Sequence, residues 1–469
     1  MIYNKLSLNI KGEVHMEEQK EIQMNKMGTM PVGRLLMNMA WPVILSMTIS
    51  ALYNIVDSIF VAKISEDALT AVSIVNPVQM LIIALAVGSG VGINSLIARR
   101  LGAQNQVEAD KAASTSIRIG LFNYIVFLLV GLFITGIFVS GYAQKGSPIY
   151  NQACTYMTIV CVGSLFLNVQ IILEKVLQAT GNMIAPMICG LSGAIVNIVL
   201  DPILIFGLFG MPRLEVAGAA IATISGQMVG MSIAVLIVIK GEHLVEIKLR
   251  KFKIDWNVVK DIYKVGFSSI IMQSLASFLI VFYNMILVAY STTAVAVLGI
   301  YFKVQSFVFM PVFGLNQGSM PIMGYNYGAR DKKRLLDTYK YAFNVALIVM
   351  IIGFILFQVF HTQILLMLNA SKGMLEIGVP ALRLISICFP FAAYGIITGT
   401  VFQATGNGLY SLIVSVMRQF VGILPLAYIL IRIGGVTLSW MAFPLAEIIG
   451  VGMSVVMFKR LYDKDLKNM

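Results

Sequence analysis

Charge is what this sequence has least of. Only 12% of its 469 residues are Asp, Glu, Lys or Arg, about half the share of an average soluble protein. With 58% hydrophobic residues, there are too few charges to cover a water-soluble surface, which excludes a soluble enzyme and a disordered chain. The three histidines, His15, His243 and His361, are scattered, so a zinc or haem site is not expected. The four cysteines, Cys154, Cys161, Cys189 and Cys388, lie in apolar runs and form no C-x-x-C. That excludes a disulfide framework and leaves them as small core residues. No G-x-x-x-x-G-K-[ST] occurs, so no nucleotide motor is encoded within the chain. Residues 1–30 lack a basic stretch followed by an apolar one, so no cleaved signal peptide is expected, and Met16, Met24 and Met27 are alternative starts.

Long apolar runs are what the sequence has in excess. A membrane-crossing helix needs about 20 apolar residues. Twelve such runs are read near 35–62, 69–97, 115–139, 149–173, 184–208, 216–239, 264–290, 295–322, 341–360, 377–402, 410–431 and 436–458. The fold class is therefore an all-α polytopic membrane protein in the lipid bilayer of the cell membrane. With the N-terminus inside, 26 of the 34 Lys and Arg fall on the inner side and five outside. This asymmetry puts both termini in the cytoplasm and accounts for the net charge of +12 without nucleic acid.

The runs repeat. Val78-Gln79 returns as Val304-Gln305, Gly88 and Gly92 as Gly314 and Gly318, and Gly102-Ala103 as Gly328-Ala329, each 226 residues later. Gln178-Ala-Thr-Gly-Asn182 returns letter for letter at Gln403–Asn407, an offset of 225. The chain therefore reads as two six-span lobes, 31–240 and 264–460, flanked by a polar segment 1–30, a cytoplasmic linker 241–263 and a tail 461–469. Six is even, so both lobes enter the membrane alike and are related by a pseudo-twofold axis along the membrane normal. The paired glycines have small-xxx-small spacing and are read as packing residues. A monomer is expected.

Ionisable side chains inside spans cost about 2.5–3.5 kcal/mol each on insertion scales, so each needs an account. Asp57 lies in the first span with Tyr53 and Asn54 on its face, one turn earlier. Asp201 lies in the fifth, with Asn197 at i−4 and Pro202 next to it. The proline cannot donate to the helix ladder, which frees the carbonyl of Ile198. Carbonyl, amide and carboxylate oxygens on one face suit a hard cation or a proton, and Thr223 in the sixth span offers a further hydroxyl. Two carboxylates sharing a dry site cannot both ionise easily, so the pair can carry a proton. The alternative is that each Asp only caps a broken helix. Elsewhere, Glu447, Arg418 and Arg383 are expected to pair or snorkel, Lys303 to find a charge partner across the lobes, and Glu174-Lys175 to form an interfacial ion pair.

Twelve spans in two halves, Val56-Asp-Ser-Ile-Phe-Val-Ala62, Asn197…Asp201-Pro202 and the paired Ala-Thr-Gly-Asn turns resemble the multidrug and toxic compound extrusion (MATE) family, most of all its MepA-type bacterial branch. The resemblance covers most of 31–460. It implies secondary active efflux of cationic, amphipathic drugs or dyes in exchange for H⁺ or Na⁺ by alternating access, with no cofactor. It also implies a cation site, open to Na⁺, at Asp57, Asn197, Asp201 and Thr223. Tyr53, Asn54, Asp57 and Asp201 are expected to meet the cargo. One departure is that several family members carry an acid in span 7, 8 or 10. Here Glu376 only begins span 10, and span 8 has Lys303 and Gln317, so coupling is expected from the N-lobe alone. A lipid-linked oligosaccharide flippase of the same superfamily is the rival reading, but anionic cargo calls for a cation-rich cavity. An intramembrane aspartyl protease would leave the duplication unexplained.

Overall fold

The computed structural model describes residues 26–241, 244–368 and 370–469, and for 53–59 and 62 the helical backbone alone. Its described secondary structure is helical throughout, with eleven helices long and apolar enough to cross a membrane and one bent pair that makes a twelfth. They are α1 Val32–Ala62, α2 Glu66–Gly102, α3 Gln106–Ser140, α4 Pro148–Ala179, α5 Ile184–Phe206 and α6 Glu215–Lys240. The second half holds α7 Trp256–Val288, α8 Thr292–Gly328, α9 Lys332–Val359, α10, α11 Gly408–Ser439 and α12 Ala442–Leu466. Helix α10 consists of Lys372–Ser386 and Phe389–Ala404, bent by 48°. The sequence reading has one continuous span there. Pro390 removes a backbone donor and disfavours helical geometry at the residue before it, which breaks the ladder.

The helix starts follow from capping. Ser65 accepts from the Ala68 amide and Asn105 from that of Glu108; Ser291 and Asp331, each 226 residues later, do the same for Ala294 and Arg334. Each cap satisfies one of the donors that a helix N-terminus leaves without an intrahelical partner. Asp255 caps α7 through Asn257, so that helix begins at Trp256, earlier than the run at 264. The connection before it lies along α3, with the Glu246 amide donating to Asp110 and the Lys248 amide to Ser114, both at 2.9 Å.

Contacts between the halves exchange under the same offset. A Cβ at Gly88 would meet Ile270, and one at Gly314 would meet Ile44. One at Gly102 would meet Tyr325 O at 1.9 Å, and one at Gly328 would meet Arg99 O at 2.0 Å. If i touches j while i+226 touches j−226, the two halves are related by a twofold. The glycines are thus points of backbone-to-backbone approach, as small-xxx-small spacing permits. Each half also lends its first helix to the other. Leu35, Leu36 and Met39 of α1 join the core of the second half, while Val258 and Ile262 of α7 join Ile93 and Leu96 of α2.

The central helices α2 and α8 are sealed at one end only. From Ile82 to Gly102 and from Gly314 to Gly328 no residue is exposed. In the other halves of these helices Ser73, Pro77 and Leu81, and their mates Gly299, Lys303 and Phe307, remain exposed. The sealed end is the one rich in Arg and Lys.

Candidate functional site

Helices α5 and α6 approach closely because small residues face each other. A Cβ at Gly226 would lie 2.5 Å from Gly193 O, and one at Gly218 2.5 Å from Leu204 O. This approach brings Thr223 to Asn197. Asn197 Nδ2 lies 3.4 Å from Thr223 Oγ1 and 3.5 Å from Asp201 Oδ1. With its amide turned over, Asn197 donates to Asp201 Oδ2 at 3.3 Å and accepts from the Thr223 amide at 3.2 Å. The turned orientation is better, because oxygen then faces a donor and nitrogen an acceptor. In both, Asn197 bridges the other two. Asp201 is fully buried and Asn197 nearly so. The structure therefore brings together three of the four residues read as a cation site.

Asp57, Tyr53 and Asn54 lie on the helical backbone of α1, and their side chains lie outside the described residues. Their height can still be placed. A Cβ at Gly190 on α5 would meet Ser46 Oγ on α1 at 3.0 Å. Both helices run from the sealed end outward, and Asp57 and Asp201 each stand eleven residues beyond that contact. At 1.5 Å rise per residue, both sit about 16 Å further along neighbouring parallel helices.

The second half has a half-buried ion pair that sequence reading left open between pairing and snorkelling. Arg418 Nη1 donates to Glu447 Oε1 at 2.8 Å, with 27% and 9% of the side chains exposed. A π-helical turn, Met417–Ile423, carries Arg418; such turns insert one residue and re-aim side chains. The pair borders a cavity of about 160 Å³ with Asn316, Gln403, Ser411 and Ser454 in its wall.

Two other expectations fail, and a third resolves onto one of its alternatives. Lys303 is exposed and has no carboxylate within 4 Å among the described residues. Arg383 has no ion-pair partner among the described residues but is exposed, as the snorkelling alternative expects, with its Nε 3.5 Å from Gln358 Oε1. Glu174 and Lys175 do not pair, because adjacent residues on a helix do not face each other. Glu174 accepts from Gln170 at 2.9 Å, while Lys175 donates to Gln178 at 2.9 Å and to Gln317 of α8. Gln317, noted in the sequence only as standing where an acid was sought, thus joins the two halves.

A family model described as MatE matches residues 42–203 and 268–429, two stretches whose starts are again 226 apart. The chain belongs to the MatE family. It is a membrane transporter, not an enzyme. The multidrug export protein MepA of Staphylococcus haemolyticus is 28% identical over 416 residues, covering 87% of this chain and 88% of that protein. The probable multidrug resistance protein NorM of Thermotoga maritima is 25% identical over 405 residues, 86% of each chain. Among solved structures, a MATE protein in complex with MaL6 aligns with a TM-score of 0.89 at 26% identity, covering 95% of this chain and all of that one. The outward-facing conformation of a multidrug resistance MATE family transporter of the MOP superfamily aligns at 0.87 and 25% identity, covering 95% and 99%. This MatE-family chain thus has, among its described residues, the helical two-half architecture read from its repeats.

Proposed function

We propose that this chain is a secondary active multidrug exporter that moves cationic amphipathic compounds out of the cell in exchange for H⁺ or Na⁺. The curated relatives above are named for multidrug export or resistance, which supports the general reading. The observation that carries the coupling reading is Asp201, a fully buried carboxylate held by Asn197 beside Thr223. A carboxylate in a dry bundle is costly unless neutralised. A bound proton or Na⁺ relieves that cost in the closed lobe, and release becomes favourable when the lobe admits water. The ion therefore biases one arrangement of the lobes over the other, as coupling requires. Asp57, level with Asp201 on α1, completes the site, and its neighbours Tyr53 and Asn54 meet the cargo.

In this reading lobes 31–240 and 264–460 rock about their twofold, joined by the linker 241–263, with the tail beyond 460 and both termini in the cytoplasm. The sealed basic end is then the cytoplasmic one, and the described state faces outward. The transporter works as a monomer in the cell membrane, without a cofactor. Proteoliposomes loaded with ethidium test the proposal under an imposed pH or Na⁺ gradient. Gradient-driven movement of the dye is expected. Movement indifferent to both gradients would refute coupling, and transport of lipid-linked pyrophosphate sugars in place of dyes would favour the flippase.

A further inference from the structure

At the sealed end, beside the point where Gly102 and Gly328 cross, lies a cavity of about 590 Å³. It is far larger than the C-lobe cavity and is a size suited to a small ligand. Arg99 and Arg100 of α2, Arg330 just after α8, and Lys464 of α12 converge on it, with Asp465 the one acidic side chain in its lining. The two acids nearby are already engaged. Asp261 lies 3.5 Å from Arg100, and Asp465 accepts from Asn407 at 3.3 Å. Arg330 and Lys464 have no carboxylate within 4 Å among the described residues, and Arg99 Nε is bound only to the neutral Ser95 carbonyl. Inner-side charge bias explains why cations are frequent here. It does not explain why four of them border one concave space where Asp261 reaches only Arg100 and Asp465 is engaged by Asn407.

The location adds a second argument. The wall is built from both halves, since Arg99 and Ala103 come from the first and Tyr327, Gly328 and Arg330 from the second. The same backbone that lines it makes the seal, with Gly328 against Arg99 O and Gly102 against Tyr325 O. Parting the lobes at this end would divide the cavity and separate its cations.

We propose that this cavity binds a phosphate group, presented by a phospholipid headgroup or by a soluble phosphate, and that the bound anion holds the lobes shut at this end. Guanidinium groups match phosphate oxygens through paired N–H donors, and an ammonium adds a point charge. Basic pockets between helices at the inner surface suit anionic headgroups. The anion bridges Arg99 and Arg100 on one half to Arg330 and Lys464 on the other, so it binds the sealed state better than the parted one. A ligand shifts an equilibrium only through such a difference. The site is separate from the carboxylate site of the proposed function, and the assay below requires no transport.

The test is hydrogen exchange of the full chain in nanodiscs, followed at amides 99–107 and 325–334. One arm compares phosphatidylcholine discs with discs that also contain phosphatidylglycerol. The other adds inorganic phosphate to phosphatidylcholine discs, with chloride at equal ionic strength as reference. Exchange is expected to slow at least about threefold in one arm or both, and the responding arm identifies the source of the phosphate. The double variant Arg330→Gln/Lys464→Gln, both exposed positions outside the packed core, should lose the effect. Lys253→Gln/Lys260→Gln, which removes equal charge from exposed positions outside the cavity, should keep it. No slowing in either arm, or equal loss in both double variants, overturns the proposal.

Discussion

An alanine at Gly102 or Gly328 is expected to force the lobes apart at their sealed end. The added Cβ would lie 1.9 Å from Tyr325 O in the first case and 2.0 Å from Arg99 O in the second. Comfortable C···O contacts are about 3.3–3.6 Å, so the two backbones must separate by roughly 1.4 Å. The obstructing atoms are main-chain carbonyls within helices, which cannot rotate away as a side chain can. Overpacking of this kind costs about 1–3 kcal/mol. Because the clash exists only while the lobes are sealed, that cost falls on one state and not on folding as a whole. At 1.4 kcal/mol per factor of ten, the sealed-to-parted ratio should fall by roughly 5- to 150-fold. Pulsed-EPR distances between spin labels at Val107 and Lys333, twofold-related positions beside the seal, would report the shift. Gly299→Ala and Gly452→Ala, where nothing lies within 4 Å of the new atom, should leave the distances unchanged. The twofold also requires Gly102→Ala and Gly328→Ala to act alike. An unchanged sealed population in either variant would refute the reasoning.

Asp57→Asn and Asp201→Asn should insert and fold, since a neutral amide is cheaper in the membrane than a carboxylate, yet abolish gradient-driven dye export; normal transport in both variants would move the coupling elsewhere. Glu447→Gln should keep most transport but lower thermal stability by about 1–3 kcal/mol through the partner Arg418 left without its carboxylate, and a double-mutant cycle with Arg418→Gln should show that coupling. Gly226→Leu should drive α5 from α6 and lose both the folded protein and the Asn197–Thr223 contact, measured as loss of monodisperse protein on size exclusion. Lys111, hydrogen-bonded to Asp255 outside the spans, holds that carboxyl below the usual carboxylate range. Its contribution is therefore present above the ordinary carboxylate pKa and lost as pH falls through the lowered value. Proteolysis of the connection before α7 should rise in strong acid, and at neutral pH in Lys111→Gln; equal cleavage of Lys111→Gln and the parent would count against the contact.

The sequence alone determined the class of the fold. Composition excluded a soluble protein, run lengths supplied twelve spans, and the 226-residue offset predicted two like halves, because these depend on local polarity and on duplication. Asn197 and Asp201 were also legible, being one turn apart on one helix face. Thr223 was legible only as a further hydroxyl in the next span, and the family resemblance made it a member of the site. Its contact with Asn197 depends on the close approach of α5 and α6 at Gly193 and Gly226, which no local pattern specifies. Tertiary structure alone decided the pairings between distant segments. It joined Arg418 to Glu447, separated Glu174 from Lys175 and sent Lys175 to Gln317, and left Lys303 exposed. It also showed α1 and α7 crossing to the opposite halves and the cations at 99, 100, 330 and 464 gathering around one cavity. The physical reason is the same in each case. Hydropathy and helix periodicity fix which face of a helix is apolar or polar, while the partner of that face is set by how twelve helices pack at once.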